Sequence, residues 1–193
     1  MKRDHSTLAK LFETFLETLD PDYPSKDTLE TPMRAAKAWR EWTCGYDVDP
    51  YSLLKMFEQA GENYDSFVIV HNIPIHSHCR HHLAPIDGFA HVGYLPGARI
   101  VGLSKLARVA DAYARRFQVQ ETLTTQIARC IHDGLEARAT GVIIRAQHGC
   151  MSTRGACVAN AWTTTSAMLG ALRDDPSARA EFMGLCSMAE KDR

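Results

Sequence analysis

Histidine and cysteine residues concentrate in two short stretches that lie far apart in the sequence. The first covers residues 76–82 (HSHCRHH) and the second covers residues 148–150 (HGC). Cys79 and His82 are close enough for one turn of backbone to direct both at one ion, and Cys150 can add a third ligand. Three protein ligands leave one tetrahedral position of zinc open, as in catalytic zinc sites. We therefore predict a catalytic zinc ion held by these three residues.

A rival pair of metal ligands lies in the same stretch. His76 and His78 share a face if the segment is a strand, because alternate side chains of a strand point the same way. We rank this pair lower because it uses neither cysteine. His81 and His148 are then expected beside the metal but not on it. That position suits proton transfer, since imidazole titrates near neutral pH.

Basic residues form a second candidate group. Ser104 is a plausible N-cap of a helix that carries Lys105 and Arg108 on one face of its first turn, where free N–H groups and the helix dipole favour anions. Arg154 follows soon after Cys150. A lysine at a helix end is usually solvated, but the combination predicts a polyphosphate site. The chain contains no Walker sequence, so this site would not be a P-loop.

The pair Gln120-Glu121 could recognise a base. Guanine presents its N1–H and 2-amino group as adjacent donors, which one carboxylate can accept together. Taken alone, the pair is better interpreted as an ordinary helix start, at which Glu121 favours the dipole.

Composition restricts the class of protein. The chain has 193 residues, of which 45% are hydrophobic, and its formal net charge is −1. This near-neutral balance predicts no general affinity for nucleic acid or for a membrane surface, and we find no apolar run of membrane-spanning length. Without an export signal, the six cysteines are expected in a reducing cytoplasm.

Hydrophobic periodicity predicts a helical N-terminal region, residues 1–62, followed by a mixed domain, residues 63–193. The first region should contain an amphipathic helix up to Leu19, a helix from Thr31 to about Trp42, and a third short helix from Ser52 to Gln59. The second should contain strands, among them a hairpin turning at Pro96-Gly97, and two helices. This order predicts an α+β fold with helices on one face of an antiparallel sheet.

These motifs together resemble the GTP cyclohydrolase I family. The resemblance runs from Thr31 to the C-terminus, and the motifs keep the family's order and spacing. Its residues are TPMR at 31–34, CRHHL at 79–83, GLSKLAR at 102–108, RFQVQE at 116–121, HGCM at 148–151 and Arg154-Gly155.

The resemblance implies the tunnelling fold, in which a sheet with two long antiparallel helices assembles into barrels. It implies a homo-oligomer, usually a decamer of two pentameric rings with active sites between subunits. Zinc would be held by Cys79, His82 and Cys150. The expected proton-transfer residues are His81, His148 and Ser104, and the expected ligands of GTP or a related purine nucleotide are Arg34, Lys105, Arg108, Gln120, Glu121 and Arg154. The implied reaction yields formate and 7,8-dihydroneopterin triphosphate, a first step towards tetrahydrofolate.

Two departures from the family pattern leave alternatives open. Arg80 replaces a usual glutamate beside the metal, and residues 149–153 (GCMST) are smaller than usual. One alternative is therefore a relative that acts on another purine nucleotide or stops at the ring-opened formamidopyrimidine. A tunnelling-fold oxidoreductase with a cysteine nucleophile and a non-catalytic, zinc-stabilised assembly protein are the others. The last of these leaves the basic residues unexplained.

Overall fold

The computed structural model describes residues 4–58 and 64–191, and contacts divide the chain into two units that meet between Cys44 and Gly45. The boundary that we predicted between residues 62 and 63 lies outside the described residues. The first unit contains α1 (His5–Leu19) packed against α2 (Thr31–Trp42), as the periodicity predicted. The Asp4 carboxylate caps α1 by accepting hydrogen bonds from two backbone N–H groups in its first turn.

The second unit combines a mixed sheet with helices on both of its faces. Its elements, after a 3₁₀ helix at Pro50–Leu53, are β1 (Met56–Glu58), β2 (Val68–Cys79), β3 (Pro85–Leu95), β4 (Arg99–Val101), α3 (Leu103–Ala114), β5 (Phe117–Gln118), α4 (Gln120–Leu135), β6 (Ala139–His148), α5 (Gly149–Ser152), β7 (Thr163–Gly170), α6 (Ala171–Asp174) and α7 (Pro176–Lys191).

The main sheet has the strand order β5-β2-β3-β6-β7. Its long pairings are antiparallel, as predicted, and only the two-residue strand β5 runs parallel to its neighbour β2. The predicted hairpin at Pro96-Gly97 is wrong. Both neighbours of β3 in the sheet are other strands, so β4 leaves it and pairs with β1.

The predicted third helix from Ser52 to Gln59 is also wrong. A 3₁₀ helix ends at Leu53, and residues 56–58 form β1, whose partner β4 lies some forty residues further along the chain. Gln59 lies outside the described residues. Local periodicity could not indicate a strand that is stabilised by so distant a segment.

Two hydrophobic clusters hold the second unit together. The larger one joins α3 and α4 to one face of the sheet, with Leu106, Leu123 and Ile127 fully buried there. The smaller one packs α7 on the opposite face through Phe182. The predicted α+β class, with two helices on one face of the sheet, is confirmed.

Among the helices of the described residues, none is both long and apolar enough to cross a membrane.

Candidate metal centre and active site

The two stretches rich in histidine and cysteine meet at one end of the sheet. Cys79 is the last residue of β2, and His148 is the last residue of β6. Strand β3 lies between them and pairs with both, so that Ile86 is opposite His148. Cys150 then follows in α5, which approaches β3 closely: a Cβ on Gly149 would lie 2.9 Å from the side chain of Pro85. Strand register therefore brings residues from distant parts of the sequence together.

A tight turn after β2 places the histidine ligand. The N–H of Cys79 donates to the carbonyl oxygen of Ala84, and the N–H of Leu83 donates to that of Cys79, both at 2.8 Å. His82 lies within this turn, and its Nδ1 is 3.8 Å from the sulfur of Cys79. Nδ1 of His81 is at a similar distance, 3.9 Å.

Cys79, His82 and Cys150 form a group that could hold a metal ion. Their ligand atoms all lie within 4.8 Å of one another. Two sulfur donors and one imidazole nitrogen are a donor set that suits zinc, and three protein ligands leave a fourth position for another molecule. The residues present therefore fit a zinc ion by chemistry and by spacing.

The thiol of Cys150 has a pKa above its ordinary value. Burial is the main cause, and the neighbouring Cys79 adds to it, whereas the positive charge of Arg154 opposes it. Two adjacent thiols are costly to ionise together without a cation between them. A bound metal would remove that cost, since metal ligation requires the thiolate form.

The rival ligand pair points away from this group. Exposed and buried residues alternate along β2, with His76 on the exposed side and Cys79 on the buried side. Nδ1 of His76 instead lies 2.9 Å from a carboxylate oxygen of Asp87 on β3. Among the described residues, His76 and His78 are not part of the three-residue metal group.

His148 contacts Gln120 at the start of α4. Its Nε2 lies 2.6 Å from the carboxamide oxygen Oε1 of that residue. Burial lowers the pKa of His148 below its ordinary value, and the negative charge of Glu121 opposes the shift. Because Glu121 is exposed next to buried Gln120, its carboxylate faces outward beside this histidine.

The remaining predicted residues lie on other elements. Helix α3 begins at Leu103 with Gly102 as N-cap, so Ser104 is inside the first turn and does not cap the helix as we predicted. Lys105 and Arg108 follow in this helix, which packs on β2. Arg34 is exposed on α2 in the first unit and pairs with Glu30. In the contacts of the described residues, Ser104, Lys105 and Arg108 are not joined to Cys79, His82 and Cys150.

Sequence reasoning missed the residues that hold Gln120. Its Nε2 lies 3.1 Å from the backbone oxygens of Ile144 and Thr163 and from the hydroxyl of Thr165. These partners belong to the adjacent strands β6 and β7. Nothing local in the sequence indicates such contacts, because they depend on where α4 crosses the sheet.

The sheet, its helices and the cysteine–histidine group define an α+β protein with three clustered residues that could hold a metal ion. A family model described as GTP cyclohydrolase I matches residues 8–187. A protein named GTP cyclohydrolase 1 from Nitrosospira multiformis is 47% identical over 179 residues, which is 93% of this chain and 94% of that protein. One of the same name from Maricaulis maris is 45% identical and covers 87% of this chain and 82% of its own.

A third relative of that name, from a Janthinobacterium species, is 48% identical over 84% of this chain and 81% of its own. Among solved structures, the archaeosine synthase QueF-Like in the apo form matches with a TM-score of 0.47 and 14% identity, over 56% of this chain and 97% of that one. The chain belongs to the GTP cyclohydrolase I family. The resemblance that we found in the sequence is thereby confirmed.

Proposed function

We propose that this chain is a zinc-dependent GTP cyclohydrolase I, which converts GTP and water into formate and 7,8-dihydroneopterin triphosphate. The observation that carries the proposal is the convergence of Cys79, His82 and Cys150 within 4.8 Å in a chain that matches the family over residues 8–187. The product would be the first pterin on the route to tetrahydrofolate.

Zinc is the metal that we propose for this group. When bound, it would lower the pKa of a coordinated water to about 7 and so make hydroxide available near neutral pH. The protein residues would supply the rest of the chemistry, beginning with the placement of the imidazole ring of GTP next to this position.

His148 is our candidate for the proton transfer to N7 of the purine, with His81 assisting. His148 lies two residues before Cys150 and contacts Gln120, and Nδ1 of His81 is 3.9 Å from the sulfur of Cys79. Both imidazoles are thus close to residues of the metal group. Ser104 is the candidate for a later proton transfer, when the ribose opens and the new ring closes.

The substrate would be recognised at both of its ends. Glu121, whose side chain is exposed, would accept the N1–H and 2-amino hydrogens of guanine with its carboxylate. Lys105, Arg108, Arg154 and Arg34 are our candidates for the triphosphate and ribose. The positive charge of Arg154 already acts on Cys150 within one chain, which supports a position close to the reacting atoms.

A homo-oligomer, which we propose to be a decamer, would complete the site. Among the described residues, strand β7 is at one edge of the sheet, and the outer side of β2 pairs only with the two residues of β5. Such open edges can pair with strands of a neighbouring copy, and sites between subunits could unite residues that one chain keeps apart. None of the six cysteines, all of which lie in the described residues, is in a disulfide, which supports a reducing cytoplasm.

Product analysis tests the function. Purified protein is loaded with zinc and incubated with GTP, and formate and the fluorescent oxidised pterin are measured together. Formation of both supports a full cyclohydrolase. Formation of a formamidopyrimidine alone would contradict it and favour an enzyme that stops early.

The Arg80→Glu variant makes this experiment sharper. It restores the glutamate that is usual in the family at this position. If Arg80 stops the reaction early, the Arg80→Glu variant should release formate and pterin, and the wild-type protein should not. If wild-type protein already completes the reaction, the variant should give the same products. Absence of any reaction in both proteins would contradict the proposal.

A further inference from the structure

Gln120 has a buried side chain in which both polar atoms have partners. Its relative exposure is only 1%, although it lies at the first position of α4. The carboxamide nitrogen faces the backbone oxygens of Ile144 and Thr163 and the hydroxyl of Thr165, each at 3.1 Å. The carboxamide oxygen faces Nε2 of His148 at 2.6 Å. No hydrogen-bonding atom of this side chain is left over for a substrate.

These partners determine which way the carboxamide points. Two of the groups around the nitrogen are backbone carbonyl oxygens, which can only accept hydrogen bonds. If the carboxamide were turned over, its oxygen would face those two acceptors and both of them would lose a donor. The nitrogen must therefore face the strands, and the oxygen must face His148.

The same logic determines the proton on His148. A carboxamide oxygen can only accept, so the imidazole nitrogen that contacts it must carry a hydrogen. In its neutral form the ring then has its proton on Nε2 and its lone pair on Nδ1. Contacts of Thr124 stiffen the arrangement. Its hydroxyl donates to the backbone carbonyl oxygen of Gln120 at 2.7 Å and lies 2.7 Å from the hydroxyl of Thr165.

We propose that Gln120 is a positioning residue that holds His148 as the Nε2–H tautomer, which leaves Nδ1 as the only nitrogen that exchanges protons with the substrate. This proposal rests on the proposed function and refines it. Nδ1 would accept a proton from the attacking water and pass that proton on to N7 of the purine. The Nε2 proton would stay on His148 throughout, donated to the carboxamide oxygen of Gln120. Recognition of guanine would then depend on Glu121 and not on the carboxamide of Gln120.

A pair of variants separates positioning from packing. Gln120→Met keeps the size of the side chain and removes both the oxygen that accepts from His148 and the N–H groups that donate to the strands. Gln118→Met is the matched control, because Gln118 is equally buried, at 1% exposure, and donates to Tyr113 and Gln126 without contacting a histidine. We expect kcat to fall about 100-fold or more in Gln120→Met, with KM for GTP changed by only a few-fold, since misplaced acid–base groups lose ~10²- to 10⁴-fold in rate. The Gln118→Met enzyme should keep kcat near that of the wild type.

A conservative substitution tests whether the lost kcat can be restored. In Gln120→Glu, a protonated carboxyl group can donate to one of the strand carbonyls and still offer an oxygen to His148. This variant should therefore regain a large part of the kcat that Gln120→Met loses. Equal losses in Gln120→Met and Gln118→Met, or a large rise in KM without a fall in kcat, would overturn the proposal.

The tautomer can be observed without turnover. In zinc-loaded enzyme labelled with ¹⁵N-histidine, the His148 signals are assigned by their loss in His148→Gln. Above the ordinary titration range of imidazole, Nε2 should carry the proton in wild-type enzyme, and Gln120→Met should show a mixture of tautomers. A proton on Nδ1 in the wild type would overturn the proposal. Because this result does not depend on product formation, it stays distinct from failure of the cyclohydrolase activity.

Discussion

The backbone N–H of Arg80 donates a 2.9 Å hydrogen bond to the backbone carbonyl oxygen of Gln118. This bond continues the short parallel pairing between β2 and β5, in which Cys79 is opposite Gln118. It connects the turn that carries His81 and His82 to the segment that leads into Glu121. The bond uses only backbone atoms. A substitution at position 80 therefore keeps this connection between the metal group and the proposed base-binding segment.

Replacement of a metal ligand should lower zinc content and activity together. We expect Cys150→Ser to weaken zinc binding by at least ~10-fold, because loss of even an outer partner of a metal ligand costs ~10- to 100-fold. Metal analysis of protein purified without added zinc measures the effect. Cys157→Ser is the control, since that thiol is exposed and outside the group. Full zinc retention in Cys150→Ser would remove this residue from the ligand set.

Loss of the His148 imidazole should affect the chemical steps and leave binding in place. We expect His148→Ala to lose ~10²- to 10⁴-fold in turnover, the usual contribution of a general acid or base, while GTP still binds. Turnover and equilibrium binding of GTP are measured on the same preparations. His76→Ala is the control, because that exposed histidine pairs with Asp87 on the other face of β2. Near-normal turnover in His148→Ala would exclude the proposed role.

Glu121 should discriminate between purines. Since hydrogen bonds to a charged group contribute about 1.5–3 kcal/mol, we expect Glu121→Gln to raise KM for GTP about 10- to 100-fold. The variant should also lose most of its preference for GTP over inosine triphosphate, which lacks the 2-amino group. Steady-state kinetics with both nucleotides give the ratio. Glu136→Gln, at the other end of α4, is the control and should keep the preference.

The sequence was a good guide to those parts of the site that are set by short spacing. Cys79 and His82 share one tight turn, so their spacing alone indicated a ligand pair. The third candidate ligand, Cys150, could be proposed from its residue type but not placed, because its approach depends on the register of β2, β3 and β6. The predicted helix up to Leu19 and one of the two helices predicted for the second region were recognisable because each carries a periodic apolar face. The structure gives them as His5–Leu19 and Gln120–Leu135.

Contacts between distant segments could not be predicted. The expected hairpin does not form, because β4 pairs with β1. Local turn signals do not reveal which strands flank β3, so this pairing could not be predicted. The contacts of Gln120 could not be predicted for the same reason, since they join distant segments of the chain. Next to Glu121 in the sequence it suggested a second contact to the base, whereas its side chain is enclosed by β6 and β7.

Arg116 should matter for stability although it lies outside the metal group. Its guanidinium donates to the backbone oxygens of Gly45 and Val48, each at 3.0 Å, and stacks 4.9 Å from the ring centre of Tyr113. Substitution by Met would leave those carbonyl oxygens without their donor, and each charged hydrogen bond contributes about 1.5–3 kcal/mol. We therefore expect Arg116→Met to lower the free energy of unfolding by about 2–4 kcal/mol, measured by chemical denaturation at fixed protein concentration.

The neighbouring arginine provides the control for this prediction. Arg115 pairs with Asp111 one turn earlier in α3, in a partly exposed ion pair. Exposed pairs of this kind contribute about 0.3–0.5 kcal/mol, so Arg115→Met should shift the free energy of unfolding far less than Arg116→Met does. Equal shifts in the two variants would show that the carbonyl contacts of Arg116 do not stabilise the connection between residues 45–48 and β5. Because β5 leads into α4, loss of that connection in Arg116→Met should also raise KM for GTP, whereas Arg115→Met should leave KM unchanged.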